Sequence, residues 1–112
     1  MDTISWSEFE NVELRVGTVI KVENFLQAKK SAYRLKLDFG PEIGIKSSSA
    51  QITGLYSKED LLSRQVVAVV NFLPKQIGPF LSECLVTGFY QPDDKVVLAV
   101  PERPVPNCAK LA

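Results

Sequence analysis

From Val12 to Phe25 the chain alternates with a period of two. Val12, Leu14, Val16, Thr18, Ile20 and Val22 fall on one face, and Glu13, Arg15, Lys21 and Glu23 on the other, with Val19 the exception. A run of this length predicts one long, half-buried strand whose Val12 to Val22 set faces a core. Gly17 in its middle predicts a bulge or sharp bend, because glycine inside a strand otherwise weakens it with no return in packing. A strongly coiled first strand is what a small closed barrel needs.

The remaining elements are read against that strand. Tyr33, Leu35, Leu37 and Phe39 alternate with Arg34, Lys36 and Asp38, giving a second strand with two cations outside. Gly40-Pro41-Glu42 is a turn, and Ile43 to Lys46 a short third strand that completes a meander. Ser47 to Gly54 is small and polar, and two readings stand: hydroxyls offered to a ligand, or a loop bonding its own backbone. Ser5-Trp6-Ser7-Glu8 and Ser57-Lys58-Glu59-Asp60 each fit a capping box, the second with Leu61-Leu62 as its buried side. The first opens a helical turn whose Trp6 and Phe9 share an apolar face, placed either over the domain core or against a partner subunit.

Val66 to Phe72 and Glu83 to Phe89 are two further apolar strands. The Leu73 to Pro79 linker between them is rich in Pro and Gly and is read as a rigid, partly basic loop. Lys95 to Val100 forms a last strand after the Gln91 to Asp94 turn, and Pro101, Pro104 and Pro106 keep the tail out of the sheet interior. Three strands, a short helix, then further strands, without a parallel β-helix-β rhythm, give an all-β fold. It is a five-stranded Greek-key barrel of the oligonucleotide-binding (OB) type, with short helices at the N-terminus and between strands 3 and 4.

Composition narrows the chemistry. At 112 residues the chain suits one core. It carries no apolar run of about 18 residues and no basic-then-apolar leader, so a soluble, cytoplasmic protein without membrane insertion is expected. Thirteen basic and thirteen acidic residues cancel, so attraction for nucleic acid has to come from local clustering. The absence of histidine removes the Ser-His-Asp and Cys-His arrangements, the usual zinc sites and the commonest general base. Cys84 and Cys108 lack metal-ligand spacing and read as reduced structural thiols. No enzyme activity and no cofactor are expected.

Five segments carry a resemblance: Val12 to Val19 (VELRVGTV), Ser48 to Thr53 (SSAQIT), Val69 to Phe72 (VVNF), Gln76 to Glu83 (QIGPFLSE) and Pro101 to Asn107 (PERPVPN). Together they resemble the tRNA-binding OB domain appended to some methionyl- and phenylalanyl-tRNA synthetases, and most closely its stand-alone bacterial members. The resemblance implies that residues 1–112 are a single tRNA-binding-type OB domain and form a homodimer. It also implies chaperone-like activity toward unfolded or export-destined preproteins, with tRNA as the alternative partner and a protein-translocation motor left open as a further one. It places the dimer interface at Ile4, Trp6 and Phe9, at Gln76, Ile77, Gly78, Pro79 and Phe80, and at Val100, Pro104 and Val105. Of the family's tRNA-binding pattern, Lys75, Ser82 and Glu83 are present, while the strongly basic extensions of many relatives are missing.

The physics of the two ligands differs. Nucleic acid requires a basic groove with exposed rings, for which the candidates are Arg34, Lys36, Lys46 and Lys75 on phosphate, Ser82 as a hydrogen-bonding group, and Phe80 or Tyr33 for stacking. A chaperone requires an adaptable apolar patch rimmed by charge, for which Phe72, Ile77, Phe80 and Leu81 are the candidates.

Overall fold

The computed structural model describes all 112 residues. In chain order the elements are α1 (Trp6–Glu10), β1 (Leu14–Asn24), β2 (Tyr33–Asp38), β3 (Ile45–Ala50), α2 (Lys58–Leu61), β4 (Gln65–Val69), β5 (Lys75–Ile77), β6 (Phe80–Ser82), β7 (Leu85–Val86), β8 (Gly88–Tyr90) and β9 (Val96–Leu98). β3, β2, β1, β4 and β7 form, in that order, an antiparallel, nearly closed five-stranded barrel of the OB type. β5 with β6 and β8 with β9 are separate two-stranded ribbons.

The long first strand is present, but its bulge and its inward face differ from the expectation. The register with β2 slips between Val19 and Lys21, one turn of the pleat past Gly17. The extra residue, Ile20, is exposed, and the core-facing series runs from Gly17 and fully buried Val19 to Val22. Val19 was therefore no exception: it belongs to the inward set, and Ile20 does not. Gly17 is required for a different reason. A Cβ built there would stand 2.6 Å from Cε1 of Phe39, so the glycine lets a core ring lie against the strand backbone.

The serine run is a strand, not a loop. Ser47, Ser48 and Ser49 pair with Lys36, Leu35 and Arg34 of β2. On its other side β3 closes the barrel, where the Glu83 amide donates to the Ser47 carbonyl at 2.8 Å and buried Ser48 Oγ donates to the Cys84 carbonyl at 2.9 Å. Small residues suit that position because two strands with non-matching edges must approach closely there.

Both capping boxes form. Ser5 Oγ accepts from the Glu8 amide while Glu8 Oε1 accepts from the Ser5 amide, and Ser57 and Asp60 do the same for α2. Leu61 of α2 is fully buried in the core, whereas Leu62 has left the helix and is exposed. α1 buries none of its residues, which overturns the reading that it covers the core.

Past β4 the linker expected to be a loop is itself a hairpin. Lys75, Gln76 and Ile77 pair with Ser82, Leu81 and Phe80 across a turn at Gly78, whose φ of 56° favours glycine. The strand expected over Glu83 to Phe89 breaks at Thr87, whose amide and hydroxyl both donate to the Val67 carbonyl. The proline-rich tail also joins the sheet. Beyond Pro106 the Cys108 amide donates to the Val16 carbonyl and the Val16 amide to that of Ala109, occupying the edge of β1 that β2 leaves open. Arg15 and Lys110 flank Glu13 there, at 2.7 and 3.2 Å, and their hydrogen bonds hold its carboxyl below the usual range.

Candidate functional site

The outer face of β2 and β3 meets the β5–β6 hairpin in an open groove of about 380 Å³. It is lined by Glu23, Arg34, Leu35, Lys36, Ser47, Pro79, Phe80, Leu81 and Glu83. Strand register explains the placement. Arg34 and Lys36 alternate with buried Leu35 and Leu37 and so project outward, opposite Ser49 and Ser47. Glu23 of β1 is paired opposite Arg34, and the hairpin brings Phe80 over the same end.

Arg34 holds the hairpin against the barrel wall. Its guanidinium carbon lies 5.8 Å from the ring centres of both Phe25 and Phe80, and those rings meet edge to face at 5.3 Å. Arg34 also reaches Glu23 at 3.7 Å, and its Nε is buried without a hydrogen-bond partner. At the base of the hairpin Ser82 Oγ accepts from the Ser49 amide at 3.1 Å, and Glu83 Oε1 accepts from the Ser47 amide at 3.0 Å. The tip approaches the β1–β2 loop: a Cβ built at Gly78 would stand 3.8 Å from Cβ of Gln27.

Both acids of the groove are committed within the protein. Glu23 is shared between Lys21 at 3.6 Å and Arg34, and Glu83 is bound to the backbone of β3. Lys36 and Lys75 form no ion pair. The groove therefore has a cationic strand wall, Arg34 and Lys36, facing an apolar hairpin wall, Pro79, Phe80 and Leu81. No three Cys, Asp or Glu side chains come together as they would to hold a metal ion.

The candidates named from sequence divide on this geometry. Arg34, Lys36, Phe80 and Leu81 line the groove together. Lys75 and Ser82 are paired on the hairpin beside it, with Ser82 Oγ already accepting one bond. Lys46 is opposite Leu37, on the other parity from Ser47 and Ser49, and so does not join Arg34 and Lys36. Phe72 and Ile77 lie outside the groove, Phe72 exposed and Ile77 half-buried against Phe80 in the hairpin. Tyr33 is buried and its hydroxyl donates to the Tyr56 carbonyl at 2.8 Å, so it presents no ring for stacking. Glu23 and Phe25 are parts of the site that were not anticipated. Cross-strand pairing of Arg34 with Glu23 was the available signal, but the bulge at Ile20 hides that register in the sequence.

The segments assigned to dimerisation are largely solvent-facing. Ile4, Trp6 and Phe9 are 66%, 86% and 40% exposed, and Val100 and Pro104 are exposed as well. Gln76, Gly78 and Pro79 form the exposed hairpin tip, with Ile77 and Phe80 half-buried beneath it. Val105 is half-buried and fixed by Gln65, which donates to its carbonyl at 2.6 Å and accepts from its amide at 3.1 Å. Asn71 ties the exit of α1 to the start of the Phe72-Leu73 loop by accepting from the Glu13 amide and donating to the Asn11 carbonyl. The exposed side chains of α1 and of Phe72-Leu73 are thereby tethered to one end of the barrel.

Comparison with known proteins gives a consistent picture. The family model described as a putative tRNA binding domain matches residues 14–110. The methionine–tRNA ligase of Pyrococcus furiosus is 32% identical over 111 residues, 99% of this chain but 15% of that protein. The ligase of Leptospira biflexa is 37% identical over 100 residues, 89% of this chain and 14% of its own length. The chain thus spans about one seventh of these relatives. Among solved structures, the chaperone CsaA of Bacillus anthracis superposes with a TM-score of 0.93 at 45% identity, covering 99% of this chain and 100% of the other. The CsaA chaperone protein of Picrophilus torridus gives 0.92 at 44%, covering 98% and 100%. A MetRS-related protein of Pyrococcus horikoshii gives 0.88 at 27%, with full coverage of both chains.

Proposed function

The chain belongs to the tRNA-binding domain family, and on that premise we propose that it is a CsaA-like molecular chaperone. In this reading a homodimer holds unfolded or export-destined preproteins in the cytoplasm. The observation that carries the reading is the makeup of the groove. Its hairpin wall is apolar, its acids and bases balance, and its one aromatic ring is already packed against Phe25 and Arg34 rather than offered to a base. Similarity to two chaperones over essentially the whole chain supports it further.

Residues 1–112 act here as one binding module without catalytic chemistry. Two copies meet through the α1 side chains Ile4, Trp6 and Phe9, through the hairpin tip from Gln76 to Phe80, and through Val100, Pro104 and Val105. The exposed apolar area of Ile4 and Trp6, at 66% and 86% exposure, supports that arrangement. Phe72, Ile77, Phe80 and Leu81 then contribute an apolar lining that runs from the groove toward the partner. A protein-translocation motor would take over the held client.

The second reading is tRNA binding, favoured by the family match, by Lys75 paired with Ser82 across the hairpin and by Lys36 on β2, both without an ion-pair partner. Light scattering from a chemically denatured client, diluted with and without the protein, tests the first reading. Suppression is expected, and Leu81→Asp, which places charge on the apolar wall, is expected to lose most of it. Aggregation that proceeds at the same rate with and without the wild-type protein would remove the chaperone reading.

A further inference from the structure

Resting on the polypeptide-binding reading, we propose that the groove selects extended client segments in which acidic and apolar side chains alternate. The cationic and apolar walls of the groove belong to different elements. Arg34 and Lys36 project from alternate positions of one strand and line the groove together with Phe80 and Leu81 of the hairpin, Arg34 closing one end where it stacks on Phe80. An extended chain sends successive side chains to opposite sides, with like-facing residues about 7 Å apart. Laid along the groove, such a chain offers one set of side chains to the cations and the other to the apolar wall.

The sign of the selection follows from which charges are already spent. Glu23 already contacts Lys21 and Arg34 at 3.6 and 3.7 Å, and one oxygen of Glu83 accepts from the Ser47 amide, so both carboxylates have partners within the protein. Lys36 has no ion-pair partner, and neither does Lys75 at the hairpin's start. Formal charge in the groove is balanced, but the charge still available is positive. A client carboxylate reaching Lys36 gains a partner, whereas a client lysine meets an unpaired Lys36 and carboxylates that already have partners. A partly exposed pair is worth up to about fivefold in affinity, and two such pairs with the matching repulsion give about tenfold discrimination.

Fluorescence anisotropy with three labelled peptides of about a dozen residues tests this. All carry Leu and Phe at every second position, with Glu, Gln or Lys between. The Glu peptide is expected to bind about tenfold more tightly than the Lys peptide, with the Gln peptide between them. A fourth peptide, with the Glu residues gathered into one block and the apolar residues into another, is expected to bind several-fold more weakly than the alternating one. Lys36→Gln is expected to bring the Glu and Gln peptides within about twofold of each other, with an unchanged melting temperature showing that the barrel is intact. Equal binding of the Glu and Lys peptides, equal binding of the blocked and alternating peptides, or a Glu preference that survives Lys36→Gln would each overturn the proposal while leaving polypeptide binding standing. Failure of all four peptides to bind, with an unfolded protein client also ignored, would instead bring down the polypeptide reading on which it rests.

Discussion

At Gly17 the barrel has no room for a side chain, because the Phe39 ring occupies the place of a Cβ. Both partners are buried, and Phe39 is fully so, which leaves little freedom to yield. Gly17→Ala is expected to lower the unfolding free energy by about 1–3 kcal/mol, measured by urea denaturation; an unchanged midpoint would contradict the packing described. Cys84 makes a second residue-scale case. Burial pushes its thiol up to about 12 from an ordinary 9.0, so the folded protein keeps it neutral. Its contribution to stability is complete below pH 9, where the thiol is protonated in both states. It is lost as the pH climbs from 9 toward 12, because the unfolded chain ionises first. At pH 8 a maleimide should therefore label half-exposed Cys108 readily and Cys84 only as fast as the barrel opens. Equal labelling rates followed by mass spectrometry would show that Cys84 is not sealed by the Ser47–Glu83 closure.

Elements whose signals are local were legible in the sequence. The two capping boxes need only four consecutive residues, and both helices start where Ser5 and Ser57 place them. Elements defined by their partners were not. The alternation in β1 marked a strand, but the added residue at Ile20 reversed which residues face inward, and no local cue distinguishes it from its neighbours. β3 carries three serines in succession and lacks the apolar alternation of a strand, because its role is to close a seam rather than to fill a core. The β5–β6 hairpin was hidden by the Pro and Gly that punctuate it. For α1 the prediction is about assembly. Trp6→Ala removes little intrachain burial, so stability of the barrel should stay within about 0.5 kcal/mol. In the proposed dimer the same change is expected to move the species seen by sedimentation velocity toward monomer, and an unchanged sedimentation coefficient would exclude α1 from the interface.

For the whole molecule, the groove joins what the two readings of function share and what separates them. The groove itself was only partly foreseeable. Arg34, Lys36, Phe80 and Leu81 could be named from residue type, whereas Glu23, Phe25 and the commitment of Glu83 to β3 depend on strand pairings that join distant parts of the chain. Strong nucleic-acid binding draws its affinity from many phosphate contacts, and a chain with thirteen cations against thirteen anions carries no excess of positive charge with which to make them. Holding a polypeptide weakly along an apolar wall needs no such excess. The chaperone and tRNA readings separate when tRNA binding across a salt series and suppression of aggregation of a denatured client are measured on one preparation. Protection of the client at near-stoichiometric protein is expected, together with weak tRNA binding at physiological salt. Tight tRNA binding that falls steeply with added salt, with the client left to aggregate, would contradict the chaperone reading.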